Sequence, residues 1–300
     1  MQGWKKEVLH LCFSCLTLCY AATAHAQTAG PSTKVLSDLL ARMKSNMAAN
    51  GILAQQYTSD EVWHNRNFDK NGKVSVDETA KYEHVFVEGL PYRRKVEANG
   101  KPLSGKEAEA EEKRYEQAVR ERRGMSLEDK RRGLHLTFHF LLPVCCLTTL
   151  FENRGVRHET IAGRDTVVVE SVPRFGAKPA SEDEKSAIDW KETTWIDAQE
   201  AMPARIEAER LKDSGHMSKG MTIQMDFDRL VDIPASDGRP ERAVWLQRGT
   251  ISRFRFKMLW SRVSGTTEQT WSNFKKFHVD MRLLEDSMQT LPDKGDSPKP

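Results

Sequence analysis

Cysteine able to form a disulfide framework is nearly absent. Of five cysteines in 300 residues, Cys12, Cys15 and Cys19 fall in an N-terminal stretch expected to be removed, leaving only the neighbours Cys145 and Cys146. Adjacent cysteines rarely bond to each other because the ring is strained. Both are expected reduced and buried beside Leu142, Val144 and Leu147, which excludes a disulfide-stapled scaffold. Long apolar runs are missing as well: beyond the first 26 residues nothing approaches the ~20 residues of a membrane-spanning helix. Charge of one sign is also lacking. There are 46 Lys and Arg against 43 Asp and Glu, a formal net charge of +3, too mild to argue for nucleic acid.

Signature chemistry is equally scarce. There is no GxSxG elbow, no Gly-rich phosphate loop and no CxxC pair. "RHETIAG" begins like a zinc helix, but Ala162 stands where the second histidine belongs. His135 and His139 are four apart on a predicted helix with Cys145 and Cys146 after them, a set able to hold zinc; a packed helix face is the simpler reading. Paired acids such as Asp183/Glu184 and Asp226/Asp228 sit in exposed or alternating settings, without the marks of an acid–base couple. The expectation is no catalytic residue, no cofactor and no metal.

What is present begins with an export signal. Lys5 and Lys6 form a basic start, Val8 to Tyr20 is mostly apolar, and Ala24-His25-Ala26 is a small-x-small cleavage site. Leu18 stands where a lipobox needs a small residue. Cleavage after Ala26 and a periplasmic location are expected. A single domain then covers 27–286, with a helical insertion at about 104–150. A polar, Pro-containing tail, 287–300, is expected to be disordered.

Apolar residues at Val35/Leu36, Leu39/Leu40, Met43 and Met47 have helical spacing, with Asn50-Gly51 as the stop. Strand-like segments follow at about 55–68, 73–88 and 91–97, separated by Asn71-Gly72, Glu88-Gly89 and Asn99-Gly100. Residues 104–124 are rich in Ala, Glu, Lys and Arg and read as a solvated helix; 127–150 reads as a more apolar helix. Further strands are predicted at about 156–161, 165–173, 190–196, 202–212, 221–228, 241–250, 253–260 and 267–282.

"NFDKNGKVSVDE", Asn67 to Glu78, looks like a calcium loop. Oxygen-bearing residues fall at positions 1, 3, 5 and 9, Gly72 at 6 and Glu78 at 12. The flanks are β-branched and aromatic rather than helical, so an Asn-Gly hairpin is expected.

The alternating strands carry the candidate binding residues. Met225 and Phe227 share one face of "MTIQMDFD". Phe254, Phe256, Met258 and Trp260 share one face of "RFRFKMLW", against Arg253, Arg255 and Lys257. With Phe138 and Leu142 of the apolar helix, these residues line either a filled core or a cavity able to take an acyl chain. The basic residues Arg120, Arg122, Arg123, Lys130, Arg131 and Arg132 read as a solvated face, with an anionic membrane surface as the functional alternative.

The order of elements, with "YEHVFVEGLPYRRKVEANGKPLSGKEAEAEEKRYEQAVRERR", "VVVESVPRFGAKP", "TTWIDAQEAMPARIEAE" and "WSNFKKFHV", resembles the LolA/LolB-like lipoprotein-sorting superfamily, in particular its larger exported bacterial members. The likeness covers most of 33–282. It implies an α+β fold: a strongly curved antiparallel sheet, an incomplete β-barrel, with helices covering its concave face. It further implies a non-catalytic, monomeric carrier of an acyl chain or lipoprotein. An envelope protein-protein interaction or sensing module on the same fold is the alternative.

Overall fold

The computed structural model describes residues 33–126, 128–130, 147–213, 217–233, 242–258 and 261–277. The chain opens with helix α1 (Thr33–Ala54). It continues through β1 (Tyr57–Phe68), β2 (Val74–Val87), β3 (Leu90–Ala98) and β4 (Lys101–Pro102) to helix α2 (Gly105–Arg123). Then come β5 (Phe151–Ile161), β6 (Arg164–Pro173), the short helix α3 (Glu182–Ala187), β7 (Trp190–Asp197) and β8 (Pro203–Arg210). Three long strands, β9 (Thr222–Ile233), β10 (Arg242–Met258) and β11 (Ser261–Lys276), complete the order.

The described strands form one antiparallel sheet in the order β4-β3-β2-β1-β11-β10-β9-β8-β7-β6-β5. Two meanders are joined where the first strand meets the last: Tyr57 lies opposite Lys276 and Phe68 opposite Ser264. The sheet is open, with β4 and β5 as separate edges, and it is neither closed nor strongly curled. The expected incomplete barrel is therefore corrected. Period-two alternation shows that one face is covered, but curvature is set by bulges and kinks that alternation does not encode.

The helices also differ from the expectation. α1 crosses one face of the sheet. Its buried stripe Leu36, Leu39, Leu40 and Met43 packs on Val167 and Val169 of β6, Ile196 of β7 and Ala201. Near its C-terminal end Met47 reaches Met202, Ala204 and Trp245. α1 does not stop at Asn50-Gly51 but continues to Ala54. β11 pairs with β10 only from Gly249 onward, which leaves the Trp245 backbone open on that side. The Asn50 amide fills the gap: Nδ2 donates to the Trp245 carbonyl at 2.8 Å, and Oδ1 accepts from Trp245 N–H at 2.7 Å. An asparagine that reads as a helix stop thus serves as a substitute strand neighbour.

α2 guards the edge at β3. β4 pairs only with Glu97 and Ala98. Further back, Arg122 donates to the carbonyls of Leu90 and Pro91, Arg114 donates to that of Arg93, and the Lys95 N–H donates to Glu111. Side chains thereby meet backbone groups that an exposed edge would offer to another chain. Residues read as a solvated basic face are partly spent here: Arg122 holds β3, Arg123 pairs with Glu88 and Arg120 with Glu116.

At the Asn71-Gly72 turn, Asn67 lies opposite Val76 and Phe68 opposite Val74. Gly72 has φ +79, and the Asp69 carboxylate accepts from the N–H groups of Asn71 and Lys73. The calcium-like stretch is a hairpin, and its position 3 carboxylate caps the turn.

Two substitutions test this packing. Met43, fully buried between α1 and the sheet, should cost about 2–5 kcal/mol when changed to Ala, read by urea denaturation. A Cβ on Gly265 would stand 2.5 Å from Phe254 Cζ and 2.6 Å from the Arg66 carbonyl oxygen. Gly265→Ala should therefore also destabilise, by roughly 1–3 kcal/mol or more; unchanged unfolding would contradict the close approach.

Candidate functional site

Strand register places Met225 opposite Thr250, Phe227 opposite Gln247 and Ile223 opposite Ser252. These residues share the α1-bearing face with Phe254, which lies opposite Gly265, and Phe256, opposite Val263. Phe227 packs against the Met202, Ala204 and Trp245 cluster that Met47 of α1 also joins. Phe254 and Phe256 stand ring to ring, with centroids 5.0 Å apart. They lie nine and eleven residues along β10 from Trp245, about 30 and about 36 Å at a strand rise of ~3.3 Å per residue. α1, about 10 Å wide, crosses β10 at Trp245 and so does not span that distance. Met225, Phe227, Phe254 and Phe256 are half-buried, while Arg253 and Arg255 are exposed. The sequence-derived set is thus divided into a part beneath α1 and an aromatic pair well beyond it. The Met258 side chain, Trp260, Phe138, Leu142, the two histidines and Cys145-Cys146 lie outside the described residues.

The same face carries a feature absent from the sequence reading. Glu61 of β1 is only 1% exposed. Its carboxylate accepts from Arg93 of β3 at 2.6 and 2.7 Å and from Gln269 of β11 at 2.9 Å, and lies 2.6 Å from His84 Nε2 of β2. The Arg93 guanidinium also lies 3.3 Å from the Tyr82 ring centroid. Burial alone raises the Glu61 pKa. Hydrogen bonds from His84, Arg93 and Gln269 outweigh that effect and bring it down to about 2.

A second carboxylate knot ties the neighbouring strands. Asp232 of β9 accepts from Tyr57 Oη at 2.7 Å, from Lys276 Nζ at 2.7 Å and from Arg242 Nε at 2.8 Å. Burial raises its pKa, but these donors, Lys276 foremost, lower it to about 2. Burial and the bond to Asp232 push Tyr57 up to about 12. Asp197, at the corner between β7 and β8, takes Arg164 Nε at 2.5 Å and the Glu200 N–H at 2.7 Å. In each case a buried carboxylate meets several donors at once, the condition for a buried charge to be tolerated.

Such saturated knots have structural rather than proton-transfer geometry: Glu61 and Asp232 stay ionised across the neutral range. No group of three or more His, Cys, Asp or Glu side chains suited to a metal occurs among the described residues. The arrangement supplies an apolar, aromatic surface bounded by a fixed charge network.

Comparison with known proteins gives no matching family profile and no matching curated relative. Solved structures do resemble the chain. A DUF1329 family protein from Desulfovibrio piger ATCC 29098 has 13% identity, covering 85% of this chain and 98% of that one, at a TM-score of 0.32. A putative outer membrane lipoprotein-sorting protein domain from Vibrio parahaemolyticus has 12% identity over 85% and 96%, at 0.31. A LolA superfamily protein from Nitrosomonas europaea has 10% identity over 81% and 96%, at 0.25. Likeness at this level assigns no role to any side chain.

The Glu61 knot predicts an acid dependence with a definite sign. Its pKa is lower in the folded chain than the ~4.3 of an unperturbed glutamate, so its contribution is present above about pH 4.3 and lost as pH falls towards 2. Arg93→Ala should cost about 3–5 kcal/mol at pH 7, because it leaves a buried carboxylate short of its main partner. That difference should shrink towards pH 2 in urea titrations. A pH-independent penalty would mean that Arg93 acts only through packing.

Proposed function

We propose that this is an exported, non-catalytic binding protein that carries a lipidated or other amphiphilic ligand in the bacterial periplasm. The carrying observation is the half-buried strip Met225, Phe227, Phe254 and Phe256 on the α1-bearing face, extending along β10 well past the helix. An acyl chain seated there gains contact with adaptable methionine and flat aromatic rings. The export segment Lys5 to Ala26 and the superfamily resemblance support the compartment and the ligand class. The knots at Glu61 and Asp232 hold the strands that present this surface. No bond is made or broken in this reading, and the proposed unit is the single chain.

Fluorescent fatty-acid titration tests the assignment of faces. Wild type should bind saturably. Phe254→Asp and Phe256→Asp should weaken binding by about tenfold or more, since a carboxylate in an apolar seat loses its water. Arg255→Ser, on the opposite face, should leave binding within about twofold, a change of under ~0.5 kcal/mol. Loss of binding in Arg255→Ser with retention in Phe256→Ala would reverse the faces and end the proposal.

A further inference from the structure

The sheet face opposite α1 holds a polar groove of about 280 Å³, lined by Lys191, Glu207, Glu209, Thr222, Gln224 and Arg253 among others. Its floor is set by register. Arg253 of β10 lies opposite Thr222 of β9, Thr222 opposite Glu209 of β8, and Glu209 opposite Lys191 of β7. In the next row Gln224 lies opposite Glu207.

Most charges around this groove are already matched. Lys191 Nζ is 2.8 Å from Glu209. Arg205 donates to Asp226 at 2.6 Å, and Gln224 donates to the same carboxylate at 2.9 Å. Two charges are not: Arg253 and Glu207, both exposed, have no hydrogen-bond or ion-pair partner among the described residues. Their strands are separated by β9 and Glu207 is two residues further along, so their backbones stand about 12 Å apart at ~4.8 Å per strand and ~3.3 Å per residue, with Thr222 and Gln224 between. The Thr222 hydroxyl oxygen is buried and lacks a hydrogen-bond partner, an arrangement that folded proteins generally avoid. Among the described residues the groove thus presents an unpaired cation and an unpaired anion, with the Thr222 hydroxyl buried beneath them, on a wall where Lys191 is matched by Glu209 and Arg205 by Asp226.

We propose that this groove binds a small zwitterion bearing an oxyanion and an ammonium group. The oxyanion pairs with the Arg253 guanidinium and the ammonium with Glu207. A simple anion would leave Glu207 unmatched beside it, and a simple cation would leave Arg253 unmatched. The inference lies beyond the amphiphile reading, because the groove is on the other face of the sheet. The chemistry is shared by soluble amino-phosphates and by phosphoethanolamine headgroups.

Calorimetric titration of the full chain with O-phosphoethanolamine tests it. Saturable binding is expected, weakened at least about tenfold by Arg253→Gln and by Glu207→Gln. Because Arg253 and Glu207 are exposed and unpaired, their variants should unfold at the wild-type temperature, which separates ligand loss from misfolding. Inorganic phosphate and ethylamine should each bind far more weakly than the zwitterion. Co-sedimentation with phosphatidylethanolamine vesicles assigns the ligand to a membrane headgroup. Binding of the soluble compound without vesicle binding assigns it to a free solute. Either supports the site if Arg253→Gln removes it. Absence of saturable binding, wild-type affinity in either charge variant, or phosphate binding as tight as the zwitterion overturns the proposal. Fatty-acid titration of the same variants should be unchanged, so failure here is distinguishable from failure of the carrier reading.

Discussion

The fold depends on pairing its first strand with its last. Without the β1–β11 ladder the chain would be two separate meanders, one from β1 to β4 and one from β5 to β11. The ladder joins residues 196 to 219 positions apart, so it must overcome the entropy of closing a long loop, which grows only slowly with length. Two carboxylates reinforce it from either side. Glu61 gathers donors from β2, β3 and β11, and Asp232 gathers them from β1, β10 and β11. Each spans four neighbouring strands. Buried ion pairs add little net stability against apolar replacements, but they penalise any register that separates the partners. The junction is thereby specified as well as stabilised.

With the junction fixed, the two faces acquire different properties. On one, α1 lies across β6, β7, β8 and β10, and its apolar stripe closes a core there. β10 continues far beyond the helix and carries Phe254 and Phe256 with it. On the other, rows of alternating charge are matched across strands at Lys191–Glu209 and Arg205–Asp226, while Arg253 and Glu207 have no partner among the described residues. The open sheet makes both faces accessible; a closed barrel would offer only an inside and an outside.

Local sequence revealed the strands well and their assembly poorly. Period-two alternation located β9 and separated Phe254 and Phe256 from Arg253 and Arg255. The Asn-Gly turn at Asn71-Gly72 was legible because its requirement is a positive φ. Other features depend on distant partners. Glu61 sits in "TSDEVWHNR" with nothing nearby to mark it as buried, since its donors are 23, 32 and 208 positions away; its only local hint is sharing a face with Trp63. Asn50-Gly51 looked like a helix stop because its tertiary partner, the open Trp245 backbone, is 195 positions distant. β10 read as two strands because a bulge between Gln247 and Gly249 interrupts its alternation. Curvature was read from family resemblance, and the open sheet differs from that expectation.

The central claim is that an amphiphile rests on the α1-bearing face along β9 and β10. Photocrosslinking with a diazirine-bearing fatty acid, followed by peptide mass spectrometry, addresses it directly. The account predicts adducts on side chains of Met225, Phe227, Phe254 or Phe256, suppressed by excess unlabelled fatty acid. Adducts confined to the opposite face, at Lys191, Glu207 or Arg253, or labelling that excess ligand does not suppress, would contradict it.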